Sequence, residues 1–229
     1  MKEQNVVTRQ RGYQPNFYEL CEGIRDPVGR RAKAEKIKWL IETYARHLPR
    51  DGVCLDVGCS AGTMTAVIAP LFGKMVGLEY DEAALMAIAP EYRREIAFLR
   101  GDAMSLPLPE NSVDAAICAQ VYEHVPDDVQ LFREIYRVLK PGGLLFFSGP
   151  NWLFPIEPHY FLPFLHWLPP KWAGRYLQLL GMGSEYYERS RSLWGLHRVT
   201  AAFERDDLSR IVLERHVLAG RPWLAKLVA

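Results

Sequence analysis

The stretch Val53–Gly62, VCLDVGCSAG, restricts the fold of this chain more than any other. It starts as a short apolar run of strand type, and it ends in small residues before a helix-like segment, TMTAVIA. A buried strand that enters a glycine-containing turn at a helix N-terminus is where open parallel sheets bind ligands. Glycines permit backbone angles closed to other residues, and the start of a helix offers free N–H groups. We therefore expect a ligand site at this turn.

The glycine spacing of the turn narrows the class of ligand. The pattern from Asp56 to Gly62 is Asp-x-Gly-x-Ser-x-Gly, whereas a dinucleotide-binding turn reads Gly-x-Gly-x-x-Gly. A carboxylate at the strand end repels a pyrophosphate but suits a cationic or hydroxyl-bearing ligand. An ordinary strand-turn-helix, with glycines for geometry alone, is the alternative that this stretch by itself leaves open.

Strand and helix patterns alternate from Val53 onward, which predicts an α/β fold with a mostly parallel sheet and helices on both faces. Before this region, we predict a short helix over residues 17–24, ended by Asp26–Gly29, and a basic helix from about 30 to 47 with Ile37, Leu40, Ile41 and Tyr44 on one face. Strands are predicted to begin at Val53 and to cover residues 74–79, 96–100, 113–119 and 144–148. Helices are predicted over residues 63–69, 81–90 and 127–139, with Asp81 a candidate N-cap and residues 140–143 a helix stop.

Residues 150–183 are rich in aromatic residues, leucine and proline. The prolines forbid one long helix, so short helices and turns are expected. Three interpretations stay open: a satellite core packed on the sheet, a lid over an apolar substrate, or a membrane-surface patch. For the residues after 183, the sequence leaves two alternatives: a helix from about 206 to 217, or strands near 196–203 and 212–218.

Composition limits the classes of function. With 229 residues, 49% hydrophobic, the chain fits one soluble domain with an elaboration. A formal net charge of +1 provides no overall field to attract nucleic acid. The Arg and Lys side chains of the predicted helix over about 30–47 are therefore expected to face solvent. The cysteines form no Cys-x-x-Cys pair or zinc-type cluster with histidine, so neither disulfides nor a metal site are expected. No signal peptide or membrane-spanning run is recognisable, which favours a cytoplasmic location.

Polar side chains follow successive predicted strands, at the edge where open α/β sheets bind ligands. Glu79, after the second strand, can accept hydrogen bonds from both hydroxyls of a ribose. Asp102 and Ala103, after the third, could contact an adenine through a carboxylate and a backbone N–H. Gln120–Val125 closes the fourth strand. Each has a structural alternative: a solvated strand end, a Gly-Asp turn or a packed polar residue.

Taken together and in this order, these motifs give residues 50–150 a resemblance to the class I S-adenosylmethionine-dependent methyltransferases. The resemblance is closest to the small-molecule subset called type 11, which includes quinone-biosynthesis enzymes. It implies a Rossmann-like sheet, S-adenosyl-L-methionine as cofactor and S-adenosyl-L-homocysteine as product. It also implies a single domain made of N-terminal cap helices (1–48), a cofactor-binding core (49–149), an aromatic-rich helical insertion or acceptor lid (150–183) and a C-terminal segment (184–229) that completes the sheet or packs on it. The implied cofactor contacts are Asp56, Gly58, Cys59, Ser60, Gly62, Glu79, Tyr80, Asp102, Ala103, Met104 and Gln120.

The resemblance also bears on the acceptor. Ser60 stands where many members have glycine, and the Asn/Asp-Pro-Pro-Tyr/Phe motif of nitrogen methylases is absent after the fourth strand. We therefore expect methyl transfer to oxygen or carbon of a small or lipophilic acceptor, with His124 or His159 as candidate base and a packed or capping histidine as the alternative. Peripheral membrane contact through residues 150–183 is a further expectation; nucleic acid is not an expected partner. A non-catalytic S-adenosylmethionine-binding relative and an NAD(P)-dependent oxidoreductase are the rival functions.

Overall fold

A five-stranded, all-parallel sheet in the order β3-β2-β1-β4-β5 organises the chain. The computed structural model describes residues 17–20, 25–183, 185–212 and 214–215. The strands are β1 (Val53–Val57), β2 (Lys74–Glu79), β3 (Ala97–Arg100), β4 (Val113–Ala119) and β5 (Leu139–Ser148). The order reverses between β1 and β4, and this is the point at which open α/β sheets form a ligand crevice. The predicted parallel α/β fold is confirmed.

Helices cover both faces of the sheet. The described helices are α1 (Phe17–Leu20), α2 (Pro27–Tyr44), α3 (Thr63–Ile68), α4 (Glu82–Met86), α5 (Asp128–Val138), α6 (Pro170–Leu179), α7 (Leu193–Val199) and α8 (Ser209–Val212). Residues of α2 and α3 share one buried cluster with β1, β2 and β4, and Phe146 packs against it. The adjacent Phe147 points the other way and meets Phe132 of α5, with ring centroids 5.2 Å apart. Because neighbouring residues of a strand face opposite sides, one strand thus joins both halves of the core.

The start of α2 differs from the prediction. Arg25 is still helical, and Asp26 and Pro27 then begin α2, ahead of the predicted start near residue 30. The Asp26 carboxylate accepts hydrogen bonds from Val28 N and Gly29 N, both at 3.0 Å, and Pro27 occupies the first turn. Asp as N-cap followed by Pro is a start signal, because proline needs no helical acceptor there. The helix also ends at Tyr44, which is 45% exposed instead of lying on the buried face.

The connection from α5 to β5 is the second difference. Residues 140–143 were expected to be a helix stop before a strand at 144–148, but Leu139 already pairs with Val113. The pairing is then irregular until Ala115 meets Leu144, and Gly142 has φ of +76° inside this irregular part. Lys140 reaches across to Asp114, at 2.8 Å. The segment that follows the end of α5 at Val138 is therefore also the irregular start of β5. Asp81 is the N-cap of α4, as predicted, although this helix is shorter than the expected 81–90.

The aromatic insertion folds as short helices and turns, as predicted. A 3-10 turn at Leu165–Trp167 leads to α6, and a small buried cluster of Leu165, Ala173 and Leu177 forms with Tyr160 and Tyr176 packed against it. The satellite core therefore exists, but many aromatic residues stay outside it. The exposed ones include Trp152, Phe154, Phe161, Phe164, Trp167 and Trp172.

The chain divides into two units, residues 1–199 and 200–229. The first ends with α7, so the alternative strand near 196–203 is wrong for this part. In the second, the short α8 begins at Ser209, whose N–H is bonded to Asp207 Oδ1 at 2.9 Å. Much of the predicted helix over 206–217 and of the alternative strand at 212–218 lies outside the described residues. No described helix has both the length and the apolarity needed to cross a membrane.

Candidate cofactor and acceptor site

The turn after β1 holds three residues in the left-handed region: Gly58, Ser60 and Gly62, with φ of +73°, +52° and +76°. Gly58 N donates to Leu78 O at 2.8 Å, which fixes the turn to the end of β2. A Cβ on Gly58 would lie 2.6 Å from Val121 Cγ2, and one on Gly62 would lie 2.9 Å from the Phe98 ring. Both glycines are thus required by backbone angle and by space. Ser60 adopts the same strained region, and its Oγ has no hydrogen-bond partner among the described residues.

Asp56, in β1, connects this turn to the helix that follows it. Its side chain is buried and accepts a hydrogen bond from Thr65 Oγ1 of α3 at 2.6 Å. Burial raises the pKa of Asp56 to about 6, against the opposing effects of the Thr65 hydroxyl and the Arg30 charge. The structure therefore gives Asp56 a role in ordering the turn.

Glu79 connects the ends of β1 and β2. Its Oε2 accepts from Ser60 N at 2.8 Å, and its Oε1 accepts from Tyr80 N at 2.7 Å and Asp81 N at 2.9 Å. A carboxylate offers about four acceptor positions, so this half-buried group retains capacity for a ligand hydroxyl. The first two predicted motifs are brought together here.

Asp102, Ala103 and Met104 form a tight turn beside them. Asp102 Oδ1 accepts from Met104 N at 2.8 Å, and Gly101 N donates to Glu79 O at 3.0 Å. Ala103 is buried and Met104 half-buried. The Asp102 carboxylate thus has the turn-forming role given as its structural alternative, and its adenine contact stays a prediction.

The end of β4 lies against the β1 turn. Gln120 is exposed, has φ of +60°, and donates its N–H to Ser148 O at 2.8 Å. The next residue, Val121, limits the space at Gly58. The predicted positions after β1 and β4 are therefore neighbours across the crevice.

A buried cluster of histidines and carboxylates follows Gln120. His124, in a 3-10 turn over Tyr122–His124, and His159, in the insertion, have ring centroids 5.0 Å apart. The Nε2 atoms of His124 and His159 lie 4.0 and 3.9 Å from Glu123 Oε1. His159 Nδ1 lies 2.7 Å from Glu157 Oε1. The ring of Phe17 of α1 packs on the imidazole of His124, with ring centroids 4.4 Å apart. The two candidate bases thus meet in space.

The surroundings of His124 and His159 shift the pKa values of the two imidazoles in opposite directions. Burial lowers the pKa of His124 to about 3, and the neighbouring His159 adds to this effect, so this ring is neutral. Burial also acts to lower the pKa of His159, but the hydrogen bond and charge of Glu157 outweigh it, and the pKa is raised. Burial raises the pKa of Glu123 to about 7. The sequence did not assign a role to Glu157 or Glu188, although an acid two residues before His159 in an apolar segment was an available signal.

An apolar depression of about 460 Å³ opens directly after β5. Its volume lies within the range of small-molecule sites, about 300–1,000 Å³. It begins where the insertion leaves the sheet, and the Tyr122 hydroxyl bonds to Pro150 O at its edge. Its walls are Pro150, Asn151, Leu153, Phe154, Ile156 and Pro158.

A parallel sheet with its order reversed between β1 and β4, and a glycine turn joined to an acid after β2, are typical of Rossmann-like α/β proteins. Residues 55–147 match the methyltransferase domain family Methyltransf_11. The match lies in the part of the chain whose motifs resemble the class I S-adenosylmethionine-dependent methyltransferases, a family whose cofactor is S-adenosylmethionine. The resemblance found in the motifs is confirmed.

The chain is also similar to curated relatives and to solved structures. The chain is 39% identical over 97 residues to a protein of Mycolicibacterium smegmatis named a probable S-adenosylmethionine-dependent methyltransferase, covering 42% of this chain and 37% of that one. It is 36% identical over 110 residues to a similarly named protein of Mycobacterium tuberculosis, covering 47% and 40%. The match thus spans about two fifths of these relatives. A structure from Bacillus halodurans (TM-score 0.53, 20% identity, 77% and 70% covered) and the [4+2]-cyclase SpnF (0.52, 21%, 83% and 71%) share the fold.

Proposed function

We propose that this chain transfers a methyl group from S-adenosylmethionine to oxygen or carbon of a small or lipophilic acceptor. The observation that carries the proposal is the Glu79 carboxylate, which bonds Ser60 N at 2.8 Å where two neighbouring strands end. This arrangement places a carboxylate, which can accept hydrogen bonds from ligand hydroxyls, beside a turn that has three residues in the left-handed region. The side chains of Asp56, Glu79 and Asp102 suit a nucleoside with a cationic end better than one with a pyrophosphate, because all three are carboxylates.

The cofactor contacts follow from that arrangement. Glu79 and Tyr80 would hold the ribose, and the Asp102–Met104 turn the adenine. The segment Gly58–Gly62 and Gln120 would hold the amino-acid end, and the unpartnered Ser60 Oγ is available there. S-adenosylmethionine supplies a methyl group on a positively charged sulfur, which is a reactive electrophile. The chain then has to position the acceptor, exclude water and accept a proton.

The acceptor side favours an apolar molecule. The depression after β5 is lined by Leu153, Phe154, Ile156 and two prolines. Its lining residues belong to the insertion, which also supplies His159 of the cluster. We propose this cluster as the group that activates the acceptor. His159 is the better-placed ring, because Glu157 fixes its Nδ1 and directs its Nε2 inward.

Product analysis tests the activity. The protein is incubated with methyl-labelled S-adenosylmethionine and either phenolic compounds or lipid extracts, and S-adenosylhomocysteine is measured. We expect turnover with at least one acceptor class, and reduced turnover with unchanged cofactor affinity in His124→Ala and His159→Ala. Binding without turnover on any acceptor would favour the non-catalytic alternative. A thermal shift with nicotinamide nucleotides and none with S-adenosylhomocysteine would favour the oxidoreductase.

We also propose that the insertion contacts a lipid surface. Phe161, Phe154 and Trp172 are 80%, 61% and 59% exposed, and the Arg175 guanidinium lies 5.3 Å from the Trp172 ring centroid. Exposed aromatic residues beside basic side chains are typical of interfacial contact. In co-sedimentation with anionic vesicles at low salt, wild-type protein is expected in the pellet and a Trp167→Ala/Trp172→Ala variant in the supernatant. Equal distribution of the two proteins would remove this part of the proposal.

A cytoplasmic location completes the proposal. Cys54, Cys59 and Cys118 are all buried free thiols, which is typical of a reducing compartment. Fractionation of the source cells, followed by immunodetection with and without a salt wash, would find the protein in the cytosol or loosely on the inner membrane surface. Recovery from a secreted fraction would contradict it.

A further inference from the structure

Three potential metal-binding side chains converge at the end of β4. Glu123, His124 and His159 each offer one ligand atom, and these atoms all lie within 4.8 Å of one another. The two closest pairs join an imidazole Nε2 to Glu123 Oε1, at 4.0 and 3.9 Å. With such separations an ion can lie within about 2.8 Å of all three atoms. Contraction by about 0.6 Å would give the usual zinc–ligand distances of about 2.0–2.2 Å.

The Glu123 carboxylate is the second observation that points to a ligand. Its side chain is 1% exposed, and neither oxygen has a hydrogen-bond partner among the described residues. A buried carboxylate left in this way costs several kcal/mol unless it is neutralised, paired or bound to a metal. Among the described residues, the basic side chains within 4.0 Å of it are the same two imidazoles, both beyond hydrogen-bond distance, and the ring of His124 is neutral.

Glu157 orients the imidazole of His159 in the way that carboxylates orient histidines that bind metals. Glu157 Oε1 lies 2.7 Å from Nδ1, which fixes the ring and leaves Nε2 directed at Glu123. Glu157 is itself held by the backbone N–H groups of His159 and Tyr160, at 2.8 and 2.7 Å. A carboxylate that orients a ligating histidine in this way is common at metal sites. The buried Glu188 adds a further acidic group that acts on His159 and Glu123.

We propose that Glu123, His124 and His159 form a binding site for a divalent transition-metal ion. Two imidazoles and one carboxylate suit Zn²⁺, Mn²⁺ or Fe²⁺, and they disfavour Mg²⁺ and Ca²⁺, which prefer oxygen ligands. Three protein ligands leave at least one coordination position open.

The inference deepens the proposed function and, for its catalytic meaning, rests on it. An ion at this site would bind the acceptor oxygen and lower its pKa, so that the proton leaves to water and His159 holds the ion. The metal affinity itself does not depend on methyl transfer.

Metal binding is measured on the purified full chain after treatment with a chelator. Isothermal titration with ZnCl₂, and in parallel with MnCl₂ and MgCl₂, is expected to give one site for the first two and none for Mg²⁺. Co²⁺ loading is expected to give visible d–d absorption. In Glu123→Gln the absorption is lost. In Glu157→Gln the affinity falls about 10–100-fold, as outer-shell changes do.

His197→Ala is the matched control, because it removes an exposed imidazole of α7 far along the chain from the cluster. It is expected to bind like the wild type. Metal-free Glu123→Gln is expected to unfold at or above the wild-type temperature, since it removes a buried carboxylate, but to lose the zinc-induced upward shift. Wild-type-like zinc affinity in Glu123→Gln, or no binding by the wild type, would overturn the site. S-adenosylhomocysteine binding, measured in the same samples, reports separately on the proposed function.

Discussion

Gly58 provides the sharpest test of why the β1 turn has its sequence. Two physical effects oppose a side chain there: φ of +73°, and the Val121 Cγ2 atom 2.6 Å from the place of a Cβ. An L-residue in the left-handed region costs about 1–2 kcal/mol. Overpacking costs about 1–3 kcal/mol more. Gly58→Ala is therefore expected to lower the free energy of unfolding by about 2–5 kcal/mol.

The chain offers a matched control for the backbone effect alone. Gly142 has φ of +76°, and a Cβ there would meet nothing within 4 Å. Gly142→Ala is expected to cost only the backbone part, about 1–2 kcal/mol. The excess cost of Gly58→Ala over Gly142→Ala then measures the steric contact with Val121.

Urea unfolding, followed by both circular dichroism and tryptophan fluorescence, gives these free energies if the transitions coincide. A double-mutant cycle with Val121→Ala completes the experiment, because shortening Val121 should relieve the excess at position 58 by about 1–3 kcal/mol. The reasoning is refuted if Gly58→Ala costs no more than Gly142→Ala, or if Val121→Ala leaves the excess unchanged.

Three further predictions concern Ser60, Asp56 and Asp114. Ser60→Gly is expected to raise the free energy of unfolding by about 1 kcal/mol in urea titrations, because it relieves a left-handed φ; a loss of stability would show that the Ser60 hydroxyl has a structural partner. Because burial raises the pKa of Asp56 to about 6, the folded state binds this proton more tightly, and its contribution to stability falls by about 3 kcal/mol as pH rises from about 4 to above 6. Asp56→Asn should remove that part of the pH dependence, and an unchanged pH profile would contradict the assignment. Asp114 accepts hydrogen bonds from Val53 N and from Lys140. Asp114→Ala is therefore expected to lower the free energy of unfolding by about 1–3 kcal/mol, and Lys140→Met, which removes a half-exposed charge, by less than about 1 kcal/mol. Equal losses in urea titrations of the two variants would show that the bond to Val53 N contributes little.

The sheet was predictable because its strands are short apolar runs separated by strong turn signals. β2 and β4 agree with the prediction at both ends, since Lys74–Glu79 and Val113–Ala119 carry the apolar side chains that two covered faces require. The late predicted start of α2 arose because Asp26, an aspartate before proline, can end one helix and also begin the next. Its side-chain bonds to Val28 N and Gly29 N, which decide the matter, are properties of the folded backbone.

The site was predictable where it depends on one turn and not where distant segments meet. The sequence indicated the cofactor edge through Asp56, Gly58 and Glu79, because each follows a strand of the same sheet. It named His124 and His159 separately, but nothing in the spacing indicated that their rings lie 5.0 Å apart. That proximity is created by the fold of the insertion over the end of β4, which no local pattern encodes.

The most direct test of the central claim is calorimetric titration of S-adenosylhomocysteine into the wild type, Glu79→Gln and the control Glu82→Gln. Glu82 is a half-exposed acid three residues along the chain, paired with Arg100. We predict one site per chain, an affinity about 10–100-fold weaker in Glu79→Gln, since hydrogen bonds to a charged group contribute about 1.5–3 kcal/mol, and no change in Glu82→Gln. No heat of binding with the wild type, or equal affinity in Glu79→Gln, would contradict the assignment of this edge as the cofactor site.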